Sequence, residues 1–341
     1  MTKTSPQLRR RERRPTTQRR HKTERAAKQH HAEQRDAEQR RTGHRRIKHR
    51  RTEQRNPRSL GLDQRSTRGI VEAIHREDAT VARAVRSELP AITRAVEAIV
   101  RALSGGGRLI YVGAGTSGRL AVLDAAECVP TFGISSRIVS AIIAGGRRAL
   151  TSAVEGAEDS AAQGKRDLAA KRITAHDVIV GLTASGTTPY VAGALDFARR
   201  RGALTIGITA NPRSPVARLA DIAIAPQTGA EVIAGSTRMK AGTAQKMILN
   251  LLSTAAMVRL GHVYNNWMVD VALTNRKLRQ RGLRILHEAA GASPARASRA
   301  LRQADDNLRV ALIMLKRNTT AEEARRRLEQ AHGNLRAALG E

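Results

Sequence analysis

Residues 113–118, GAGTSG, form a glycine- and hydroxyl-rich segment directly after the short apolar run Leu109–Val112. Glycines let the backbone approach a ligand, and amides and hydroxyls at the start of a helix bind phosphate. The segment also fits the G-x-G-x-x-G pattern of dinucleotide sites, but no acidic residue closes the following strand at the expected distance. The sequence therefore favours a sugar phosphate as the ligand, bound by Thr116 and Ser117.

A second segment, residues 183–188, repeats this arrangement after the apolar run Val178–Leu182. It reads TASGTT, and its candidate phosphate ligands are Ser185, Thr187 and Thr188. Loops that follow two parallel strands lie at the same edge of a sheet, so both segments can flank one phosphate ester. A pair of ordinary polar turns between strand and helix is the alternative, and the pattern alone leaves it open.

The densest group of small, hydroxylated and charged residues is GAEVIAGSTRMKAGTAQK at 229–246, before a long apolar-periodic stretch. Ser236 and Thr237 are predicted to cap the helix that follows. The arginine and lysine side chains of the segment can bind an anion at the start of this helix, and Glu231 can bind sugar hydroxyls. The candidate substrate-binding residues are therefore Glu231, Ser236 and Lys240, and the alternative is a capped helix with solvated cations.

Two carboxylates near these loops are suited to general acid–base chemistry. Glu127 lies nine residues beyond Gly118, toward the far end of the predicted helix, and Glu158 lies in VEGAEDS at 154–160. A carboxylate beside a buried phosphate is under pressure to shift its pKa, which suits proton transfer. Either glutamate is also typical of a solvated surface position. Cys128 has no histidine partner in the sequence, so it is predicted to be a small buried hydrophobic residue.

The elements that carry these segments alternate between short apolar runs and helical stretches. Residues 60–104 have apolar side chains at three- and four-residue steps, which predicts helix, and three glycines end it. The apolar runs that follow are Leu109–Val112, Ile138–Ile143, Val178–Leu182, Leu204–Ile208 and Ile222–Ile224. Their length and spacing predict an α/β fold with a doubly wound parallel sheet, which binds ligands at the carboxyl ends of its strands.

Helices are also predicted beyond the sheet, at about 241–260 and at 293–339 with breaks at Asn318 and Gly333. No internal repeat is apparent. We expect three parts: a basic extension at 1–50, an α/β domain with N-terminal helices at 51–285, and a small helical domain at 286–341.

Composition excludes several classes of protein. The single cysteine among 341 residues excludes an intramolecular disulfide and a cysteine-based zinc site. No apolar run approaches the roughly 20 residues that cross a bilayer, and the Arg-rich start lacks the apolar stretch of a signal peptide. We therefore expect no membrane association and a cytoplasmic location.

Residues 1–50 carry 18 Lys and Arg against 5 Asp and Glu, which is +13 of the net +31. They hold too few apolar side chains to offset chain entropy, so disorder or a loose solvated helix is expected. Such an arm can bind nucleic-acid phosphates, but it has no aromatic side chain on which bases can stack. We expect nucleic-acid contact to be accessory at most. The extension is otherwise a solvated tail or a stretch translated from too early a start codon.

Five blocks of the chain resemble the N-acetylmuramic acid 6-phosphate etherases, sugar isomerase domain proteins related to the glucokinase regulatory proteins. The blocks are residues 113–133, 153–160, 184–191, 229–246 and 268–275. The resemblance extends from about Thr52 to about Ala338. It implies a fold of sugar isomerase type and a cofactor-free, cytoplasmic enzyme of amino-sugar recycling. A single domain of this family usually completes its pocket with a neighbour, so the resemblance also implies a homodimer.

The implied reaction is cleavage of the lactyl ether of N-acetylmuramic acid 6-phosphate to N-acetylglucosamine 6-phosphate and D-lactate. The two glutamates implicated in the family match Glu127 and Glu158. By this analogy Glu127 is the acid that protonates the departing lactate, and Glu158 is the base that removes the proton at C2. Two carboxyl groups in opposite protonation states suffice for this chemistry without a metal or redox cofactor.

One loop departs from the family pattern, because Thr187 stands where members commonly carry arginine. Loss of that guanidinium weakens anion binding unless a cation such as Lys240 or Arg238 compensates. The alternative function is a non-catalytic, sugar-phosphate-sensing regulator, as the glucokinase regulatory relatives are. Those relatives carry two sugar isomerase domains in a longer chain. The presence of both Glu127 and Glu158 favours the enzyme.

Removal of residues 1–50 is expected to leave turnover intact, because the resemblance begins only at about Thr52. The measurement is the rate of D-lactate release by the truncated and full-length chains at equal concentration. A large loss of activity in the truncated chain would contradict this expectation.

Overall fold

The computed structural model describes Thr2 and residues 51–341. The disorder and nucleic-acid contact predicted for the extension at 1–50 therefore lie outside the described residues. The central sheet has five strands: β1 Leu109–Gly113, β2 Val139–Ile143, β3 Val178–Leu182, β4 Leu204–Ile208 and β5 Ile222–Ile224. All neighbouring strands are parallel, in the order β2-β1-β3-β4-β5. The predicted doubly wound α/β fold is confirmed, and each strand matches its predicted run to within one residue at either end.

Thirteen α-helices are formed within residues 51–341. Those up to the last strand of the sheet are α1 Thr67–Asp78, α2 Val81–Arg86, α3 Leu89–Ser104, α4 Gly115–Phe132, α5 Ala161–Ala170, α6 Pro189–Arg200 and α7 Pro215–Leu219. Those beyond it are α8 Lys240–Arg259, α9 Arg276–Ala290, α10 Pro294–Gln303, α11 Leu308–Arg317, α12 Ala321–Gln330 and α13 Leu335–Leu339. No helix in the described range is long and apolar enough to cross a membrane.

Helices cover both faces of the sheet, and the alternation of side chains along β1 separates the two layers. Leu109 and Tyr111 are fully buried in the cluster formed with α3, α4 and α8. Ile110 and Val112 are equally buried, in the opposite cluster with α5, α6 and α7. A strand buried on both faces reads as a continuous apolar run, which is why the sequence located these strands well.

The N-terminal region contains less regular helix than the sequence predicts. Residues 51–64 form three single 3-10 turns, and α1 begins only at Thr67. The hydroxyl of Ser66 accepts a hydrogen bond from the amide of Gly69 (3.2 Å) and so fixes the start of α1. The prediction of helix from residue 60 is therefore wrong by about two turns.

A separate apolar cluster holds the C-terminal helices together with a short antiparallel hairpin, β6 Val263–Tyr264 and β7 Trp267–Met268. Helix α9 spans the boundary expected at residue 285. Its buried Ile285 and Leu286 pack with the later helices rather than with the sheet.

The C-terminal helices contain an internal repeat that the sequence analysis missed. LRQADDNLRVAL at 301–312 and LEQAHGNLRAAL at 328–339 are identical at eight of twelve positions. In each copy an asparagine caps the second helix: Asn307 accepts from the amide of Val310 (3.1 Å), and Asn334 accepts from that of Ala337 (3.2 Å). The two residues before each cap have left-handed backbones: Asp305, Asp306, His332 and Gly333. Helices α10 and α11 and helices α12 and α13 therefore form two similar helix–turn–helix units.

Helices α5 and α6 approach so closely that their contact requires glycine. A Cβ at Gly164 would lie 2.0 Å from the carbonyl oxygen of Tyr190, and one at Gly193 would lie 2.2 Å from that of Ala161. Both obstacles are backbone atoms, so a side chain at either position would force the helices apart.

The substitution Gly164→Ala is expected to lower the free energy of unfolding by about 3 kcal/mol, because overpacked contacts of this kind are strained. Chemical denaturation measures the change. Gly69→Ala is the control, because its added Cβ would meet nothing closer than 3.4 Å and alanine is more favourable than glycine within a helix. Equal effects of the two substitutions would show that the α5–α6 contact is not tight.

Candidate active site

The two predicted phosphate segments lie side by side where the order of the strands reverses. Strands β1 and β3 are neighbours, although β2 lies between them in the chain. In sheets of this kind the loops after such a pair diverge and leave a crevice for a ligand. The segments after β1 and β3 therefore form the two walls of one site.

The first wall is the start of α4. Its first helical hydrogen bond runs from the amide of Gly118 to the carbonyl of Ala114 (3.2 Å), so the amides of residues 115–117 have no intrahelical acceptor. A Cβ at Gly113 would lie 2.7 Å from the nitrogen of Gly118, and one at Gly118 would lie 2.5 Å from Ile143. The two glycines thus bring the helix start against the strand. Thr116 is half-buried and Ser117 is buried at this point.

The second wall is a network of hydroxyl groups after β3. The hydroxyls of Thr183 and Thr188 lie 2.7 Å apart, and those of Ser185 and Thr187 lie 3.0 Å apart. The amide of Gly186 donates to Thr183 (3.2 Å) and the amide of Thr187 donates to Ser185 (3.2 Å). These bonds fix the three predicted ligands, Ser185, Thr187 and Thr188, as a half-buried polar surface.

The hydrogen bonds formed by the segment 229–240 differ from those that the sequence predicts. Helix α8 begins at Lys240, its N-cap residue is Met239, and no side chain forms a hydrogen bond at that cap. The amides of Lys240 and Ala241 instead donate to the carboxylate of Glu231, at 3.0 and 2.9 Å. The prediction that Ser236 and Thr237 cap this helix is therefore wrong. A carboxylate from earlier in the segment binds the positive end of the helix instead.

Two of the predicted substrate ligands are buried and bind other protein atoms. Glu231 is 1% exposed, and burial raises the pKa of its carboxyl despite the hydrogen bonds from two backbone amides. Lys240 is also 1% exposed, and its Nζ lies 2.6 Å from Oε2 of Glu77. These contacts favour a structural role for both residues. Ser236 is half-buried, and Arg238 is the exposed cation of this segment.

The start of α8 is nevertheless adjacent to the loops that follow β1 and β3. Ala241 forms a small buried cluster with Ala184 and Ala210, from the loops after β3 and β4. A Cβ at Gly242 would lie 3.6 Å from the methyl group of Thr116. Three loops at the carboxyl edge of the sheet and the start of α8 therefore converge on one place.

Glu127 lies in the last third of α4, and its side chain is exposed in the single chain. The helix is anchored from its inner face by Asp124. The carboxylate of Asp124 accepts from the hydroxyl of Tyr111 (3.1 Å) and from Nζ of Lys246 (3.1 Å). Glu127 thus projects from a rigid helix that is bonded to the central strand and to α8.

Cys128, next to Glu127, is 3% exposed. Burial raises the pKa of its thiol to about 12, so it is not a thiolate near neutral pH. The prediction of a small buried hydrophobic residue is confirmed.

Glu158 lies in the long connection from β2 to α5, within a single 3-10 turn at Ala157–Asp159, and is exposed. This connection leaves the same carboxyl edge of the sheet as the loops after β1 and β3. Its earlier part is tied to α4 by Arg119, whose Nε donates to the carbonyl of Ala149 (2.9 Å) and whose Nη2 donates to that of Ser152 (3.3 Å). Ser160 then caps α5 through the amide of Gln163 (3.1 Å).

The residues that support this site from behind were not predicted from the sequence. Glu77 and Asn56 bond to each other (2.8 Å) and contact the segment 229–240, from which more than 150 positions of chain separate them. No local pattern marks either residue, because the sequence does not distinguish a glutamate or asparagine that has a distant partner from one that is exposed to solvent. Among residues 51–341 no group of three or more His, Cys, Asp or Glu side chains can hold a metal ion.

Comparison with known proteins gives two matching family models. The model described as glucokinase regulatory protein N-terminal SIS domain matches residues 91–199, and the SIS domain model matches residues 150–255. A solved phosphoheptose isomerase from Francisella tularensis is 20% identical, with a TM-score of 0.44, over 58% of this chain and 99% of that one.

Curated N-acetylmuramic acid 6-phosphate etherases from two bacteria match at higher identity. The proteins from Yersinia pestis (strain Pestoides F) and Yersinia pseudotuberculosis serotype O:1b (strain IP 31758) are each 55% identical over 285 residues. The match covers 84% of this chain and 97% of each relative. The resemblance found in the sequence is confirmed. The chain therefore belongs to the N-acetylmuramic acid 6-phosphate etherase family of sugar isomerase domain proteins.

Proposed function

We propose that this chain is a carbon–oxygen lyase that converts N-acetylmuramic acid 6-phosphate to N-acetylglucosamine 6-phosphate and D-lactate. The etherase name of relatives at 55% identity supports this and does not favour the alternative of a non-catalytic regulator. The observation that carries the site assignment is the crevice between β1 and β3. There the open amides at Thr116 and Ser117 adjoin the hydroxyl network that includes Ser185, Thr187 and Thr188.

Elimination is the first stage of the proposed reaction. The open-chain sugar has an aldehyde at C1, which acidifies the proton at C2. The carboxylate of Glu158 removes that proton, and the electron pair forms the C2–C3 double bond as the C3–O bond breaks. The carboxyl group of Glu127 protonates the departing ether oxygen, which leaves as D-lactate.

Hydration is the second stage. Glu127, now a carboxylate, takes a proton from a water molecule as the water oxygen adds to C3 of the unsaturated aldehyde. The proton held by Glu158 returns to C2, and the sugar closes its ring. Both carboxyl groups end in their starting states, and the net change is the replacement of lactate by water.

The length of α4 separates the proposed acid from the phosphate wall of the same chain. Thr116 and Glu127 are eleven residues apart on this helix, which is roughly 16 Å along its axis. A hexose phosphate is much shorter, so a sugar held at Thr116 is out of reach of Glu127 on the same helix. We therefore propose a homodimer in which Glu127 acts in the pocket of its neighbour.

Exposed apolar side chains support such an assembly. Leu123 is 46% exposed and lies one turn before Glu127, and Leu251 and Val258 lie two turns apart on one side of α8. Large apolar side chains grouped on helices that carry functional groups are typical of subunit interfaces. The cytoplasmic location and the absence of a cofactor remain predictions.

The variants Glu127→Gln and Glu158→Gln are each expected to lower kcat for D-lactate release by about 10²- to 10⁴-fold, because each removes a proton-transfer group. The two roles are separable by exchange of the C2 proton with deuterium from the solvent. Glu127→Gln keeps the base and should still exchange this proton, whereas Glu158→Gln should not.

Glu155→Gln is the matched control, because Glu155 is also exposed in the loop of Glu158 and has no role in the mechanism. Loss of activity in Glu155→Gln as large as in Glu158→Gln would point to disturbance of the loop rather than to catalysis by Glu158. A wild-type chain that releases no D-lactate would refute the proposed function.

Mixing the two inactive variants tests the shared site. In a mixed dimer one pocket receives both substitutions and the other receives neither, so random exchange of subunits should restore roughly a quarter of wild-type activity. If Glu127 acted within its own chain, every pocket would contain one substitution and mixing would restore nothing. Sedimentation at the assay concentration shows whether the active species is a dimer.

A further inference from the structure

A buried ion pair lies behind the proposed site, and the mechanism does not use it. Nζ of Lys240 lies 2.6 Å from Oε2 of Glu77, and the two side chains are 1% and 4% exposed. Glu77 comes from α1 and Lys240 is the first residue of α8, so the pair joins two distant parts of the chain. Buried pairs of this kind add little net stability over apolar replacements, although breaking one is costly.

Glu77 receives hydrogen bonds from three residues. Besides Lys240, Nδ2 of Asn56 donates to it (2.8 Å), and Arg58 donates through Nε and through Nη2 (3.1 Å). Burial raises the pKa of this carboxyl, but the bonds from Arg58, Lys240 and Asn56 outweigh burial and lower it to about 2. Glu77 is therefore an anion near neutral pH.

The segment that supplies Asn56 and Arg58 also binds the loop in front of α8. We call residues 52–59 the N-terminal clasp. Its three bonds to the loop are Nδ2 of Asn56 to the carbonyl of Ala230 (3.1 Å), Oγ of Ser59 to that of Val232 (2.7 Å), and the amide of Gly235 to the carbonyl of Thr52 (3.0 Å). The clasp and Glu77 thus hold the loop and the helix start as one body.

Only one residue separates this body from the loops that form the crevice. The backbone of Lys240 is fixed by Glu231 and its side chain by Glu77. The next residue, Ala241, packs on Ala184 and Ala210, and Gly242 lies beside Thr116. A shift of Lys240 would therefore move the residues that line the crevice.

We propose that Glu77 is a positioning residue, which acts through Lys240 and the N-terminal clasp to set the width of the sugar-phosphate pocket. The proposal rests on the proposed function, because it assumes that the crevice binds the substrate. In this proposal Lys240 links Glu77 to the residues that line the pocket and does not contact the substrate.

The decisive variant is Glu77→Gln, which keeps the shape of the side chain and removes its charge. If Glu77 positions the pocket, KM should rise at least about tenfold with a smaller change in kcat, since small displacements of binding groups are costly. If Lys240 instead bound the substrate whenever it was not paired with Glu77, removal of the charge of Glu77 would lower KM. Glu72→Gln is the matched control, because Glu72 lies on the same helix in an exposed pair with Arg68 and should leave both constants unchanged.

Ser59 provides a second test that does not break the buried pair. Ser59→Ala removes the bond to Val232 and should raise KM several-fold, and Ser59→Thr should restore it by keeping the hydroxyl. Thermal unfolding shows which variants are folded at the assay temperature. If Glu77→Gln is unfolded, the two Ser59 variants decide the question alone.

Binding of N-acetylglucosamine 6-phosphate, measured by calorimetry, separates this proposal from the proposed function. A wild type that binds this sugar phosphate but releases no D-lactate refutes the function, while the binding comparison still tests the positioning. Folded Glu77→Gln and Ser59→Ala variants with wild-type KM and wild-type affinity would overturn the role of Glu77.

Discussion

The start of helix α8 is the constraint on which the rest of the site depends. A helix start exposes amides that need acceptors, and a buried lysine needs a counter-charge. Both demands fall on Lys240, whose backbone is bound by Glu231 and whose side chain is bound by Glu77. Because both acceptors are themselves buried, the helix start has little freedom to move. The loop before α8 and the loops that its first turn contacts are therefore held in place as well.

On the other side of the site, close contact between the backbones of β1 and α4 fixes the position of a helix start in the same way. The glycines at 113 and 118 let α4 begin directly against β1, so its open amides lie at the edge of the sheet. The hydroxyl network after β3 is satisfied internally, which holds its oxygen atoms in place before any ligand binds. A phosphate can then be bound by groups that are already ordered, so little conformational entropy is lost on binding.

The groups assigned to proton transfer are arranged differently from the groups assigned to phosphate binding. The residues proposed to bind phosphate lie within the crevice of one chain, whereas Glu127 and Glu158 are exposed in that chain. An exposed carboxylate becomes a selective acid or base only when its surroundings exclude water. A second chain that covers α4 would provide that exclusion, and it would also bury Leu123. Assembly and catalysis are then linked by the same surface.

The sequence by itself determined the sheet, the positions of the two glycine- and hydroxyl-rich loops, the long helix α8 and the family, because these depend on local apolar runs and on contiguous motifs. The 3-10 turns before α1 and the left-handed turns between the C-terminal helices were not predicted, since apolar spacing alone does not reveal caps and turns. The C-terminal repeat, by contrast, is visible in the sequence once its two copies are aligned. Only the tertiary structure decided that Glu231 caps α8 and that Glu77 holds Lys240 across 163 positions of chain. The sequence does not show which distant residue a charged side chain pairs with. Folding alone brings the two together and determines whether a lysine faces a ligand or the protein interior.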